Sequence, residues 1–412
     1  MITTQTKRYL ALTLFLLFIF MISVWGFHEF FTSKVPGAND FYPRWRGAQL
    51  FWQEGVDPYS QAATEAIQRD MYGGRLAYET EDQVLFVYPF YVVFFLRPLI
   101  NIEYAWVQAI WLVLVQFSLL AAVILNLKLF EWKMPPWLLA FTLLWAVIFY
   151  NSTRTIILGQ FAGLLYLWIV GILLALKYEH DVLAGLLIAL TTIKPQMSYL
   201  LIPALLIWAL GQRRWRFIGS SFVSMVLLLG FSFLLQPNWL FSFIDQVLNY
   251  PGYTVTGSPL WVITGFYLPE LGKPVEYLMI AGLLIYLFWN WRWLPKVAAN
   301  SSIFYFVIGL TLIVTNMIVI RTATTNYIIM YIPLFMILHA VSQRMRRGNV
   351  WIALFYGVST VFTWTIFIVS IQGDQEHPIT YLPLPFLLLF VMVFFSRIWL
   401  QPEATPANAQ IS

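Results

Sequence analysis

The chain has 412 residues, of which 60% are hydrophobic and only 10% are charged, and its net charge is +5. Ordinary soluble domains contain roughly a quarter charged residues, because polar side chains must cover a surface that faces water. This composition excludes a soluble enzyme, a disordered protein and a nucleic-acid-binding protein, and the continuous apolar runs exclude a β-barrel, so it predicts an all-α polytopic membrane protein.

The first apolar run covers residues 9–27 and follows Lys7 and Arg8. Its length of about 19 residues is enough to cross the hydrocarbon core of a bilayer. The run ends without a small-residue cleavage site, so we expect an uncleaved transmembrane helix rather than a signal peptide. The two basic residues before it place the N terminus in the cytoplasm.

A polar segment, residues 28–83, follows and contains nearly half of the acidic residues. We predict that it is a long first extracytoplasmic loop with amphipathic helices, and that residues 236–274 form a second one. The apolar segments between and after these loops are 84–100, 104–127, 137–150, 161–176, 182–193, 197–210, 217–235, 275–291, 303–320, 327–340, 351–371 and 381–400. They predict about 11–13 transmembrane or re-entrant helices in one membrane-embedded domain, residues 1–400, with a disordered tail, residues 401–412.

Four short connections carry Lys or Arg and no acidic residue, which is typical of cytoplasmic loops. They contain Lys7 and Arg8; Arg213, Arg214 and Arg216; Arg292 and Lys296; and Arg344, Arg346 and Arg347. With all four in the cytoplasm, segments 182–193 and 197–210 have to share one crossing, through a broken helix or a re-entrant hairpin at Lys194-Pro195. Irregular backbone at membrane depth is tolerated where it lines a cavity, so the break predicts a site.

Asp40 lies at the polar edge of the first span, before a helix that we expect to begin near Pro43 and to reach Gln53. A carboxylate there is either a general base or a residue that caps or braces the loop. Asp57, in the sequence Gly-Val-Asp-Pro-Tyr that ends at Tyr59, is typical of a turn.

Two cations stand where membrane topology does not require them. Lys194 lies between two apolar segments, where an ammonium is costly unless it is functional or reaches an interface. Arg321 follows the span 303–320 on the predicted outer side, with neighbouring hydroxyls and Asn326. This group suits phosphate or sugar oxygens, although an interfacial arginine is the alternative. Gln160 opens an apolar run and could reach a ligand rich in hydroxyls.

The chain contains no cysteine, and its four histidines, at 28, 180, 339 and 377, have no metal-ligand spacing. We therefore expect no metal site and no other cofactor. Glycine-rich nucleotide loops are absent too, so an enzyme of this sequence would use a donor other than a nucleotide.

The order of several short motifs resembles glycosyltransferase family 87, the polyprenol-phosphate-mannose-dependent α-mannosyltransferases of the GT-C membrane fold. The matching residues are Asp40, Gly55-Val56-Asp57-Pro58-Tyr59, Val87-Tyr88-Pro89-Phe90, Arg97-Pro98, Gly159-Gln160, Ala184-Gly185-Leu186 and Lys194-Pro195. The resemblance covers most of the chain in order, and its specificity lies in the succession of motifs.

The resemblance implies a GT-C-like bundle that transfers a hexose, with mannose favoured, from a polyprenyl-phosphate sugar to a lipid or glycan acceptor. The reaction would be a single inverting displacement at the extracytoplasmic face of the plasma membrane. The resemblance implies these roles for the candidate residues: Asp40 as base; Lys194 and Arg321 on the donor phosphate; Gln160 and Asn326 on sugar hydroxyls; Asp57 and Tyr59 near the sugar or acceptor, shaping the loop.

Two other functions remain open from the sequence. A secondary transporter also uses broken helices and a lysine at membrane depth, although this chain shows no internal repeat. A lipid-linked glycan polymerase or ligase is also polytopic and uses an outer arginine, and it would need its base on a late outer loop.

Overall fold

The computed structural model describes residues 4–35, 37–253, 257–371 and 376–399; the predicted tail lies outside them. In this part of the chain the regular secondary structure is helical, with one isolated antiparallel bridge between Gly257 and Arg321. The α-helices are α1 (Thr4–Phe27), α2 (Tyr42–Gln49), α3 (Gln61–Met71), α4 (Val92–Leu96), α5 (Tyr104–Leu129), α6 (Pro136–Ile148), α7 (Tyr150–Ile157), α8 (Ala162–Lys177), α9 (Asp181–Thr191), α10 (Leu201–Gly211), α11 (Trp215–Leu235), α12 (Trp239–Tyr253), α13 (Pro259–Trp261), α14 (Gly272–Trp291), α15 (Ser302–Ile318), α16 (Tyr331–Arg344), α17 (Gly348–Ser370), α18 (Pro383–Phe394) and α19 (Ser396–Trp399).

The described helices confirm an all-α polytopic membrane protein. Six are long and apolar enough to cross a membrane: Gln5–Thr32, Tyr104–Leu129, Trp215–Leu235, Gly272–Lys296, Thr324–Arg344 and Gly348–Ser370. The pair α6 and α7, bent by 53°, adds a broken span, and five shorter apolar helices accompany them. Six of these units, or seven with the bent pair, can thus cross a membrane by length and composition; the predicted number of about 11–13 helices, which includes re-entrant ones, stays a prediction.

The core lies around α5, α8, α15 and α16, whose side chains are largely buried by other helices. Helices α1, α11, α14 and α17 instead expose most of their apolar side chains. An apolar surface of this extent suits hydrocarbon rather than water. The bundle therefore has an inner group of helices sealed by protein and an outer group suited to lipid.

The prediction of a membrane span over residues 84–100 is wrong. Only α4, of 5 residues, and a 3₁₀ turn at Arg97–Leu99 are helical there. Pro89 and Pro98 each remove a backbone donor and restrict the preceding residue, so no long helix can form. Hydrophobicity alone cannot distinguish burial in lipid from burial in protein, and Phe86 and Phe90 are fully buried by protein.

The helix that follows Asp40 agrees with its predicted extent. After α2, a π-helical turn over Leu50–Glu54 continues the helix, which ends at Gly55 with a φ of 70°. Trp45, Gln49 and Trp52 lie on one face of this helix, and each donates a hydrogen bond to a backbone carbonyl within residues 93–100, at 3.0, 3.0 and 2.9 Å. This face thus packs on the misassigned segment, which positions the loop containing Asp40.

Helices α9 and α10 form a hairpin. Asp181, at the start of α9, binds Arg214 with an oxygen-to-nitrogen distance of 2.6 Å, and Gly211 at the end of α10 lies close to Arg214 in sequence. Lys194 lies at the other end of the hairpin. The break at Lys194-Pro195 thus has the form of a hairpin, which is one of the two arrangements predicted for it.

Candidate active site

A cavity of 370 Å³ brings together side chains from distant parts of the chain. Its polar lining comprises Asp40, Arg44, Gln160, Lys194, Arg321 and Asn326, together with Tyr88, Gln196 and Thr322. Its apolar lining comes mainly from α12 and from the two residues that follow α15, through Phe243, Ile244, Val247, Leu248, Val319 and Ile320. Five of the seven predicted site residues thus meet in one place.

Asp40, Gln160 and Lys194 form a hydrogen-bonded chain. The buried Lys194 ammonium donates to Gln160 Oε1, and Gln160 Nε2 donates to Asp40 Oδ2 at 2.6 Å. An ammonium can only donate, so the amide oxygen has to face Lys194 and the amide NH₂ has to face Asp40. This arrangement orients one carboxylate oxygen and leaves Oδ1 without a hydrogen bond among the described residues.

Asp40 does not cap α2. Phe41 occupies the capping position, and no side chain caps the helix there. Asp40 instead lies in the turn before α2, where it is partly buried and lines the cavity. The capping alternative is therefore excluded, and the accessible carboxylate agrees with the requirement for a general base.

Gly159 allows Gln160 to approach Asp40. Its φ is +67°, and a Cβ at this position would lie 2.7 Å from Phe41 Cβ. Only glycine adopts this conformation without strain and leaves room for the neighbouring loop. The Gly159 carbonyl accepts a hydrogen bond from Trp111 Nε1 at 2.7 Å, which fixes the turn. The Gly-Gln motif thus has a steric cause.

The break after α9 places Lys194 in the cavity. Pro195 opens a 3₁₀ turn over Pro195–Met197, and proline cannot donate a helical hydrogen bond. The Tyr91 hydroxyl, from the segment misassigned as a span, bonds to Thr192 through both the carbonyl and the hydroxyl oxygen, at 2.9 and 2.7 Å. Residues 84–100 therefore hold the loop that carries Lys194.

The Arg321 segment forms another wall of the cavity. Arg321 pairs through its backbone with Gly257, and its guanidinium carbon lies 5.8 Å from the centre of the Trp261 ring. Asn326 donates to Thr322 Oγ1 at 3.2 Å, while its buried Oδ1 has no hydrogen-bond partner in the described structure. Asn326 therefore retains an acceptor for a ligand hydroxyl.

Asp57 and Tyr59 do not line the cavity. Asp57 Oδ1 accepts from the Tyr59 backbone at 3.0 Å, and the Tyr59 hydroxyl donates to the Tyr88 carbonyl at 2.6 Å. Burial, followed by the charge of Asp57, raises the pKa of Tyr59 well above its usual value, so it remains a donor. These residues brace the loop behind Tyr88 instead of contacting the cavity.

Three features escaped the sequence reasoning. From the sequence alone, Arg44 resembles an ordinary surface charge of α2. Its position one helical turn after Asp40 was the only indication that the two side chains could lie close together. The apolar wall from α12 was read as part of a polar loop. Arg154 forms an ion pair with Glu376 at 2.8 Å, and the Glu376 carboxylate also accepts a hydrogen bond from Thr324 Oγ1. Only the fold connects these positions.

No cluster of His, Asp or Glu suited to a metal is present in the described residues.

The Arg154–Glu376 pair stabilises the Arg321 wall, so its loss should lower stability. We expect Glu376→Gln to reduce the free energy of unfolding by about 2 kcal/mol, because Arg154 and Thr324 lose a charged acceptor. Thermal unfolding in one detergent measures the effect. Glu179→Gln is the control, since Glu179 is 83% exposed and 3.8 Å from Arg214. Equal melting temperatures of Glu376→Gln and the parent would contradict the assignment.

Comparison with known proteins concerns the central part of the chain. Residues 86–320, more than half of the sequence, match the model of Glycosyltransferase family 87. The match includes Gln160 and Lys194, whereas Asp40 and Arg321 lie outside it. The chain shows no significant similarity to a curated protein or to a solved structure.

Proposed function

The chain belongs to glycosyltransferase family 87 and is a membrane glycosyltransferase, and we propose that it transfers a hexose, with mannose favoured, from a polyprenyl-phosphate sugar. The acceptor is a lipid or a glycan, and the reaction is a single inverting displacement. The enzyme lies in the plasma membrane, with its N terminus in the cytoplasm and its active site on the extracytoplasmic side.

One observation carries this proposal: the cavity combines an excess of cations with an apolar wall. The charged residues that line it are Asp40, Arg44, Lys194 and Arg321, so the described lining has three positive charges and one negative charge. Such a balance favours an anionic ligand. The wall formed by α12 offers apolar contact to a hydrocarbon chain. A sugar joined through phosphate to a lipid has both properties.

The chemistry follows from the position of Asp40. An acceptor hydroxyl attacks the anomeric carbon while its proton passes to Asp40 Oδ1, and a new carbon–oxygen bond forms. The bond from the anomeric carbon to the phosphate oxygen breaks, and the electron pair leaves with the lipid phosphate. Because that leaving group is already a stable anion, no general acid is required. Lys194 and Arg321 stabilise the charge that develops on it.

Gln160 serves this reaction as a positioning residue. Its amide oxygen and amide NH₂ are both engaged, by Lys194 and Asp40. The expected contact with a sugar hydroxyl is therefore better supported for Asn326, whose Oδ1 is buried without a partner in the described structure. Asp57 and Tyr59 support the loop through Tyr88.

The proposed orientation rests on the hairpin of α9 and α10. One end of the hairpin lies at Arg214, within a basic connection, and the other end carries Lys194 into the cavity. Basic connections favour the cytoplasmic side. The cavity at the opposite end is then extracytoplasmic, where a flipped polyprenyl-phosphate sugar and an envelope acceptor would meet.

The deciding experiment offers alternative donors to the purified full-length protein. We expect transfer of radiolabelled mannose from polyprenyl-phosphate mannose to an acceptor in a membrane lipid and glycan extract, and no transfer from a nucleotide sugar. Product analysis should show the anomeric configuration inverted relative to the donor. Transfer from the nucleotide sugar alone would overturn the donor assignment. Consumption of no donor, together with solute uptake into proteoliposomes, would favour a transporter.

A further inference from the structure

Arg44 is a cation of the cavity to which neither the motif pattern nor the proposed reaction assigns a role. It lies on α2, about one turn after Asp40, and lines the same cavity. No carboxylate within the described structure forms an ion pair with it. Arg46, two residues later, is instead neutralised by Asp70 at 3.0 Å and also donates to Gln49. The two arginines of one helix thus differ in whether their charge is compensated.

The guanidinium of Arg44 is held in place by an aromatic ring. Its central carbon lies 4.7 Å from the centre of the Tyr88 ring, and Tyr88 is itself fixed through its carbonyl by the Tyr59 hydroxyl at 2.6 Å. Stacking uses the face of a guanidinium and leaves the donors at its edge available. The contact with Tyr88 therefore orients Arg44 before any ligand binds.

Arg44 also has an unsatisfied donor. Its Nε is buried and has no hydrogen-bond partner in the described part of the chain. Buried donors of this kind are uncommon unless a ligand or water satisfies them. An oriented guanidinium with an available buried N–H matches the planar, multidentate recognition of phosphate.

We propose that Arg44, stacked on Tyr88, forms an anion subsite of the cavity that binds a phosphate oxygen of the lipid-linked substrate. The inference rests on the proposed function and extends it, because it adds a third phosphate-binding cation to Lys194 and Arg321. The phosphate belongs to the donor or to the headgroup of an anionic lipid acceptor. In either case Arg44 positions the substrate relative to Asp40.

Binding of farnesyl phosphate, compared with farnesol, tests the subsite without sugar transfer. We expect Arg44→Gln to weaken binding of farnesyl phosphate by about tenfold or more, corresponding to the loss of one charge-assisted contact, and to leave farnesol binding unchanged. Arg44→Lys keeps the charge but not the planar fork, so its affinity for farnesyl phosphate should lie between those of the parent and Arg44→Gln. Arg46→Gln on the same helix is the control and should bind as the parent does. Titration calorimetry of the full-length protein in detergent gives these constants.

The outcomes separate the inference from the function on which it rests. If the parent protein binds farnesyl phosphate no better than farnesol, the lipid-phosphate donor itself is refuted. If the parent prefers the phosphate and Arg44→Gln retains that preference in full, the Arg44 subsite alone is refuted. Steady-state kinetics then identify the source: a raised KM for the donor assigns the donor phosphate, and a raised KM for the acceptor assigns its headgroup.

Discussion

Asp40→Asn should abolish nearly all turnover while leaving the protein folded. Asparagine has the same shape, and its side-chain oxygen still accepts the hydrogen bond from Gln160, so the local structure should persist. What disappears is the ability to take a proton, and a general base contributes about 100-fold to 10,000-fold to a rate. We therefore expect kcat to fall at least about 100-fold. Initial rates with a labelled polyprenyl-phosphate sugar measure it.

Asp57→Asn is the matched control for this experiment. Asp57 lies in the same loop, but its carboxylate accepts from the Tyr59 backbone and does not line the cavity. Asparagine supports this type of turn equally well. The control should retain near-parental kcat and the same elution profile on size exclusion. An Asp40→Asn variant as active as the parent would show that another group takes the proton.

Lys194→Met should lower kcat/KM by about 100-fold or more, because a preorganised cation is removed from a buried site where charge develops. Methionine keeps an unbranched side chain of similar reach and introduces no new charge into the cavity. Lys177→Met is the control: the Lys177 side chain is 10% exposed, and its ammonium contacts Glu131 and the Leu129 carbonyl, none of which lines the cavity. Full activity of Lys194→Met would refute its role.

A second variant separates two ways in which Lys194 could act. Gln160→Met interrupts the hydrogen-bonded chain but leaves the ammonium in the cavity. If Lys194 stabilises the leaving phosphate directly, Lys194→Met should be clearly more damaging than Gln160→Met. Equal losses would assign Lys194 to the orientation of Asp40 through the amide. Both variants need the same folding check, since Gln160 and Lys194 are buried.

Local patterns in the sequence were sufficient for several elements. The helix expected to begin near Pro43 and to reach Gln53 is the one that α2 and its π-helical extension form. Such features depend on residues a few positions apart, so they can be recognised directly in the sequence. The break at Lys194-Pro195 could be recognised for the same reason.

The span expected over residues 84–100 failed because hydropathy records that a segment is apolar but not what buries it. In the fold, Tyr91 from this segment bonds to Thr192, about 100 residues away. Its apolar side chains face protein, and its two prolines prevent a spanning helix. The same limitation hid α12, whose apolar side chains complete the cavity from within a predicted polar loop.

The sequence by itself determined that this protein lies in a lipid bilayer and is predominantly helical. It also identified the few charged residues that membrane topology does not require. Those properties follow from composition and from short-range periodicity. The tertiary structure alone decided that Asp40, Gln160, Lys194 and Arg321 meet, and that Asp57 and Tyr59 stay outside the cavity. It also decided that Gln160 connects a base to a cation. Contacts between residues so distant in the chain depend on how all the helices pack, and no local pattern encodes that packing.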